Sequence, residues 1–312
     1  MLETPSQLPY PSFVMNFPFS LSTEVPNNFM TQRHTEEERI LDRPKAYQQF
    51  MSLYNFAATE SLIYLLPSHQ NLYQDLPYIA NLGIYLPHII DRNIILLSNF
   101  ASEPRQGEET VGKPFFELMN YETINCPYKW EGEADLKYLY DNIYIGGYGI
   151  RSEIKAYEWM EANFGMKIIK LKMDNPAYLH LDCTIFPMTK TKTLVSYPTA
   201  YNNQELLEIS KVTEIIDVYY NFKYPDTVAR VCNSCLIGNK VLTASRLPDV
   251  PKNYYSNIEE GNLWEIETEK ISFLKHICDK IGLEVIIFNI SEFEKSGALL
   301  SCMFMHLNYW KD

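Results

Sequence analysis

The chain has 312 residues, 46% of them hydrophobic and 21% charged, and a formal net charge of −12. That composition supports a large core in one domain or two and excludes an intrinsically disordered chain. The negative balance argues against DNA or RNA as the main partner and suits a small cationic ligand.

The start, Met1-Leu2-Glu3-Thr4-Pro5, lacks the basic region of a secretory signal. No run reaches the roughly 18 apolar residues of a membrane span. The expectation is a cytoplasmic protein without a membrane partner, and a homo-oligomer is compatible with it. Six cysteines, at 126, 183, 232, 235, 278 and 302, are then expected as thiols. Cys232-x-x-Cys235 has no second Cys or His pair nearby and sits in an apolar run. It reads as a packed strand rather than a zinc or redox site.

Residues 1–12 are Pro-rich and read as an irregular arm, leaving 13–312 as a single domain. Residues 13–19 suggest a strand and 26–30 a loop. Residues 36–66 are helical in pattern, with a break near Asp42-Arg43-Pro44. An apolar strand over 78–86 then meets a turn at Asp91-Arg92-Asn93 and a second strand over 94–98. The same outline recurs around Asn142, Thr191 and Asn239, so the turn centres lie about 50 residues apart. Helices are expected over 152–164, with Ser152 as N-cap and Gly165 as stop, over 202–216, and over 263–281. The last unit is 284–289, a loop, then 302–309. Hairpins with a helix per unit suggest a closed α/β ring of similar modules. A capped solenoid is the alternative, and the helices argue against an all-β kelch-like propeller.

Polar residues recur at one phase of this repeat. Asn81, Glu131 and His180 each fall eleven residues before a turn centre. In a ring, equivalent positions converge on the axis, where buried polar groups are costly unless they bind something. Coincidence among loosely placed turns is the competing explanation. Residues 178–186 read as a strand, which would aim His180 and Asp182 at the same face. An imidazole can move protons near neutrality and a carboxylate can hold a cation. A core histidine paired to a structural acid is the plainer reading of that stretch.

Several short motifs occur in a fixed order. They are Asn27-Asn28-Phe29-Met30, Tyr78-Ile79-Ala80-Asn81-Leu82-Gly83, Glu103-Pro104-Arg105-Gln106-Gly107-Glu108 and Trp130-Glu131-Gly132-Glu133-Ala134-Asp135. Gly147-Tyr148-Gly149-Ile150-Arg151-Ser152, His180-Leu181-Asp182 and Ser291-Glu292-Phe293-Glu294-Lys295-Ser296-Gly297 follow, with Cys302 last. As an ordered set over roughly residues 14–309, the chain resembles the guanidino-group-modifying (pentein) superfamily. That group includes arginine deiminases, dimethylarginine dimethylaminohydrolases, amidinotransferases and arginine dihydrolases.

The resemblance implies a five-bladed α/β propeller of ββαβ modules. It makes Cys302 the nucleophile that attacks a guanidinium carbon, where the residue alone reads as a buried core thiol. It makes His180 the acid and base, and has Glu131 and Asp182 grip the guanidinium nitrogens. Arg105 and Arg151 match positions that bind a substrate carboxylate, a task suited to a planar fork, with a salt bridge as the bland alternative. Asp135, four residues after Glu131, would share its face on a strand and support the site or only a turn.

Asn28 and Asn81 both match the dihydrolase-like pattern, whereas deiminases and dimethylarginine hydrolases usually carry Asp in the strand of Asn81. The expected function is a cysteine-dependent hydrolase of a free guanidino compound, L-arginine above others. Ornithine, carbon dioxide and ammonia would be the products, or citrulline. An amidinotransferase, a dimethylarginine hydrolase, a modifier of protein arginines and a catalytically silent effector on the same fold are the alternatives. No metal or organic cofactor is implied. Two departures stand out. Leu299 and Leu300 follow Gly297-Ala298 and are expected to narrow or reshape the pocket, and strand alternation should aim Cys183 away from the site.

Overall fold

The computed structural model describes residues 4–67, 72–217, 231–247 and 258–309. Among these described residues lie five three-stranded sheets. The pattern is set by short apolar runs such as Ile94-Ile95-Leu96-Leu97, buried at every position. A strand buried on both faces suits the middle of a sheet, and Ser12–Met15, Ile94–Leu97 and Thr193–Ser196 each lie there.

Four sheets share one plan. A first strand pairs antiparallel with a second, a helix crosses over, and a third strand lies parallel to the second. One sheet comprises β3 (Gly83–Tyr85), β4 (Ile94–Leu97) and β5 (Glu122–Asn125), with α2 (Glu109–Leu118) as crossover. The next has β6 (Leu136–Tyr140), β7 (Ile143–Gly149), α3 (Ile154–Phe164) and β8 (Lys167–Met173). The third has β9 (Ile185–Met188), β10 (Thr193–Ser196), α4 (Asn203–Ser210) and β11 (Glu214–Asp217). The fourth has β12 (Cys235–Ile237), β13 (Lys240–Ala244), α5 (Ile258–Ile281) and β14 (Glu284–Phe288).

The fifth sheet closes the ring with both ends of the chain. β15 (Met305–His306) pairs antiparallel with β1 (Ser12–Met15). β2 (Leu62–Leu65) lies parallel to β1 after the crossover helix α1 (Arg43–Glu60). Asn308 ties the closure: its Oδ1 accepts from Ser12 N at 3.0 Å and its Nδ2 donates to Tyr10 O at 2.8 Å.

Five apolar clusters seal neighbouring blades to one another. Val14 meets Ile95 and Leu97. Ile84 and Leu96 meet Trp130 and Tyr144. Ile145 and Leu171 meet Ile185 and Leu194. Phe186 and Val195 meet Val241, and Phe13 and Met15 meet Ile237 and Leu242. Each side chain of this size contributes about 1.5–3 kcal/mol on burial. The α/β ring of five ββαβ-type blades is therefore the architecture.

Several local expectations need correction. The helix expected over 36–66 is a short helix, Glu36–Arg39, then α1, and Leu62–Leu65 is strand because it pairs with β1. The break falls where foreseen: Asp42 caps α1 by accepting from Lys45 N at 3.0 Å. The helix expected over 202–216 stops at Ser210, because residues 214–217 pair with β10. Ser152 does not cap α3. Glu153 holds that position, and the Ser152 hydroxyl serves Asp135 instead. Of the Cys232–Cys235 pair, only Cys235 lies in a strand.

Candidate active site

The polar residues of the repeat do not sit in strands. A short helical turn precedes the first strand of a blade and carries them towards the centre. Ile79–Leu82 precedes β3 and holds Asn81. Gly132–Asp135 precedes β6, with Glu131 at its N-terminus. Leu181–Cys183 precedes β9, with His180 in the same place. Ser301–Met303 precedes β15 and holds Cys302. The strand readings over 78–86, 178–186 and at Glu131 and Asp135 are thus corrected. At the axis these segments meet other loops, and no ladder partner is available to keep them extended.

One glycine shows how tightly these turns are locked. Gly132 has a φ of 62°, a region that disfavours a side chain. A Cβ there would stand 2.5 Å from Ala80 O and 2.6 Å from Asn81 C. The glycine therefore lets the Glu131 turn press against the Asn81 turn.

Cys302, His180, Asn81, Asn28, Arg105 and Arg151 line one small cavity of about 50 Å³, together with Asn27, Asp75, Tyr78, Leu179, Ser296, Gly297 and Ala298. Glu131, Asp135 and Asp182 are not part of this lining. Glu131 Oε2 lies 2.8 Å from His180 Nε2, and Glu131 Oε1 lies 3.4 Å from Arg151 Nη1. Burial opposes the Glu131 charge, but the His180 hydrogen bond and the nearby cations outweigh it and hold the carboxyl at about 2. Burial also opposes the imidazolium of His180. Asp135 and Glu131 together overcome that and raise its pKa. Asn81 Nδ2 is 3.3 Å from the same imidazole nitrogen.

Asp135 faces away from the cavity. Its Oδ2 accepts from Ser152 Oγ at 2.6 Å and its Oδ1 from Leu181 N at 3.1 Å. It therefore fixes the segment that carries His180. Burial pushes this carboxyl up to about 6.

Asp182 and Cys302 form a second cluster. Asp182 Oδ2 accepts from Ser301 Oγ at 2.6 Å, and the Cys302 thiol points to the same oxygen at 3.6 Å. Burial, then the Asp182 charge, pushes the Cys302 thiol up to about 12. In the empty site the sulfur is therefore protonated at neutral pH. Cys183 does not line the cavity, and its sulfur lies 3.8 Å from Asp182 Oδ1.

Arg105 is buried in an ion pair with Glu108, with Nε–Oε1 at 3.0 Å and Nη2–Oε2 at 2.7 Å. Nη2 also donates to the carbonyls of Asp75 and Tyr78, and the guanidinium stacks 4.8 Å from the Phe100 ring. Nη1 makes none of these bonds. Arg151 Nη2 donates to Asn27 O at 2.8 Å. Asn28 caps the turn Phe29–Arg33 and donates to Ser296 O at 2.8 Å.

Leu299 and Leu300 do not narrow the cavity. Leu300 is wholly buried in an apolar cluster and Leu299 packs against it. Gly297 and Ala298 form the wall instead, and a Cβ on Gly297 would reach within 2.8 Å of Asn28 Oδ1.

Sequence reasoning missed Asp75, Tyr78, Ser296 and Asn233. Asp75 accepts from the Asn27 amide and lines the cavity. Asn233 touches the Cys302 sulfur. Its signal was masked because it lies inside the Cys232–Cys235 spacing, which drew attention to the cysteines.

No family model matches the chain. It is 25% identical over 273 residues to an uncharacterized Caenorhabditis elegans protein, ZK1307.1, covering 86% of this chain and 85% of that one. It is 23% identical over 266 residues to the bifunctional arginine dihydrolase/ornithine cyclodeaminase AgrE of Nostoc. That match covers 84% of this chain but spans only 33% of the Nostoc protein. A Mycobacterium tuberculosis dimethylarginine dimethylaminohydrolase matches at 25% over 136 residues, 44% of this chain and 43% of that one. Among solved structures, the N-terminal domain of ArgZ, an arginine dihydrolase, superposes with a TM-score of 0.78 at 18% identity. The superposition covers 96% of this chain and 98% of that domain. A dimethylarginine dimethylaminohydrolase superposes at 0.68 and 15%, covering 95% and 99%. The chain therefore has the fold of these guanidino-group-modifying (pentein) enzymes, and members of that superfamily are among its sequence relatives.

Proposed function

We propose that the protein hydrolyses the guanidino group of a small free substrate, L-arginine above others, through a covalent bond to Cys302. The observation that carries this is the convergence of Cys302, His180, Asn81 and Arg151 on one cavity, with Glu131 bonded to His180 and Asp182 beside Cys302. A guanidinium delocalises its charge and is a poor electrophile, so it must be held flat beside a nucleophile and fixed acids.

The Cys302 thiol is protonated in the empty site, and an entering cation offsets the Asp182 charge that opposes ionisation. The thiolate then adds to the guanidinium carbon. His180, whose hold on its proton is strengthened by Asp135 and Glu131, protonates the leaving nitrogen, the C–N bond breaks and ammonia departs. The neutral imidazole next takes a proton from water. The resulting hydroxide adds to the carbon, the C–S bond breaks and citrulline forms. A second round on the ureido carbon would consume another water and give ornithine, carbon dioxide and a second ammonia. Asn81 favours this second round, because an amide offers both donor and acceptor to a neutral ureido group. Arg151 and Nη1 of Arg105 supply cationic donors for the substrate carboxylate, and Asp75 supplies an acceptor for its ammonium.

The test is incubation with L-arginine and a count of ornithine, citrulline and ammonia. The expected result is ornithine with two ammonia per arginine. Citrulline accumulating without ornithine would reject the dihydrolase version and leave a deiminase. Amidino transfer to added glycine would reject hydrolysis in favour of a transferase. No turnover of arginine or methylated arginine would reject the reading.

A further inference from the structure

We propose that Asn233 is a catalytic residue that holds Cys302 as the thiolate by donating its Nδ2–H to the sulfur. The inference rests on Cys302 being the nucleophile. Asn233 lies in the turn leading into β12, the blade for which the eleven-residue phase gave no candidate. It completes the set of inward turns, so that every blade sends one polar group towards the centre.

The amide orientation is dictated by its neighbours. Asn233 Oδ1 accepts from Ser301 N at 2.9 Å and faces Ser301 Oγ at 2.9 Å. An NH₂ group placed there would meet a backbone N–H, donor against donor, so the oxygen must occupy that side. Nδ2 is left facing Cys302 Sγ at 3.5 Å. Asn233 is 2% exposed, so water does not replace this bond.

On its other flank the sulfur meets Asp182 Oδ2 at 3.6 Å. The sulfur thus sits between an acceptor that favours the thiol and a donor that favours the thiolate. Ser301 couples the two by donating its hydroxyl to Asp182 and its backbone N–H to Asn233. With the cavity empty, the S–H points at Asp182. When a cation enters, the proton is lost to solvent and the Asn233 N–H remains as a fixed donor to the new negative charge. A hydrogen bond to a charged group is worth about tenfold or more in such an equilibrium.

The experiment is alkylation of the whole protein by iodoacetamide without substrate, across a range of pH. Modification at Cys302 is read by peptide mass mapping, which separates it from the five other cysteines. Asn233→Asp keeps the size and the acceptor for Ser301 but removes the donor, and Asn233→Ala removes both. The expected result is a pH–rate line displaced to higher pH, with Cys302 alkylation slowed about tenfold in Asn233→Ala and more in Asn233→Asp. A line superposing on wild type, or faster alkylation in Asn233→Asp, would overturn the proposal. The readout needs no turnover. A displaced line in a protein that ignores arginine would sink the substrate assignment and leave this role standing.

Discussion

Two glutamate–histidine pairs flank one short helical turn, and they differ in what they face. Glu131, just before the turn Gly132–Asp135, meets His180 at 2.8 Å. Glu133, within it, meets His306 Nδ1 at 2.7 Å and accepts from His306 N at 2.9 Å. Both carboxylates are buried. His180 shares a cavity with Cys302 and Asn81. His306 stacks on Tyr309 at 4.5 Å, packs on Phe13 at 4.8 Å, and lies in β15, the strand that closes the ring. Its cavity is walled by Phe186, Phe304 and Tyr309, with Lys137 as the cation. In the proposed reaction the first pair serves proton transfer, whereas the second lies in the strand that closes the fold. Both histidines border a cavity, and what separates them is the company: Cys302, Asn81 and Arg151 around His180, aromatic rings around His306.

Breaking each pair should separate these roles. Glu131→Gln removes the charge that helps hold His180 as the imidazolium, so arginine turnover should fall about 10²-fold. The alkaline limb of the pH–rate profile should also move to lower pH, because the raised pKa of His180 depends partly on Glu131. An unchanged limb would show that His180 is not the acid.

Glu133→Gln should do the reverse. It leaves His306 with one fewer acceptor and costs about 1–3 kcal/mol, read as a thermal midpoint lower by a few degrees. Turnover should stay within about twofold at temperatures where the protein is folded. A loss of activity as large as that of Glu131→Gln would erase the distinction between the pairs.

A smaller effect concerns acid. The folded pKa of Glu131, about 2, lies below its ordinary 4.5. Its contribution to stability is present above the ordinary value and is lost as the pH falls towards 2. Denaturant titrations should show wild type losing its advantage over Glu131→Gln across that window. An advantage undiminished at pH 2 would contradict the assignment.

The sequence was most informative where its periodicity met unambiguous packing. The turns at Arg92, Asn142, Thr191 and Asn239 reported hairpins faithfully, because apolar central strands such as Ile94–Leu97 leave no other solution. The phase of Asn81, Glu131 and His180 marked residues that meet at the centre. The reason offered for His180 and Asp182 did not hold, since a helical turn replaces the strand and their carboxylate and imidazole serve different partners. Asn233 escaped because the β12–β13 hairpin is shorter than the others, so a fixed count from its turn lands elsewhere. Long-range polar contacts such as Asn233 with Ser301 leave no periodic trace at all.

The central claim is a covalent bond from Cys302 to the guanidino carbon. Acid quenching of the protein during arginine turnover, followed by peptide mass mapping, tests it most directly. The account predicts an adduct on the Cys302 peptide, absent from Cys302→Ala, and a loss of turnover of at least about 10³-fold in that variant. Turnover by Cys302→Ala near the wild-type rate, with no adduct on the wild-type Cys302 peptide, would contradict it.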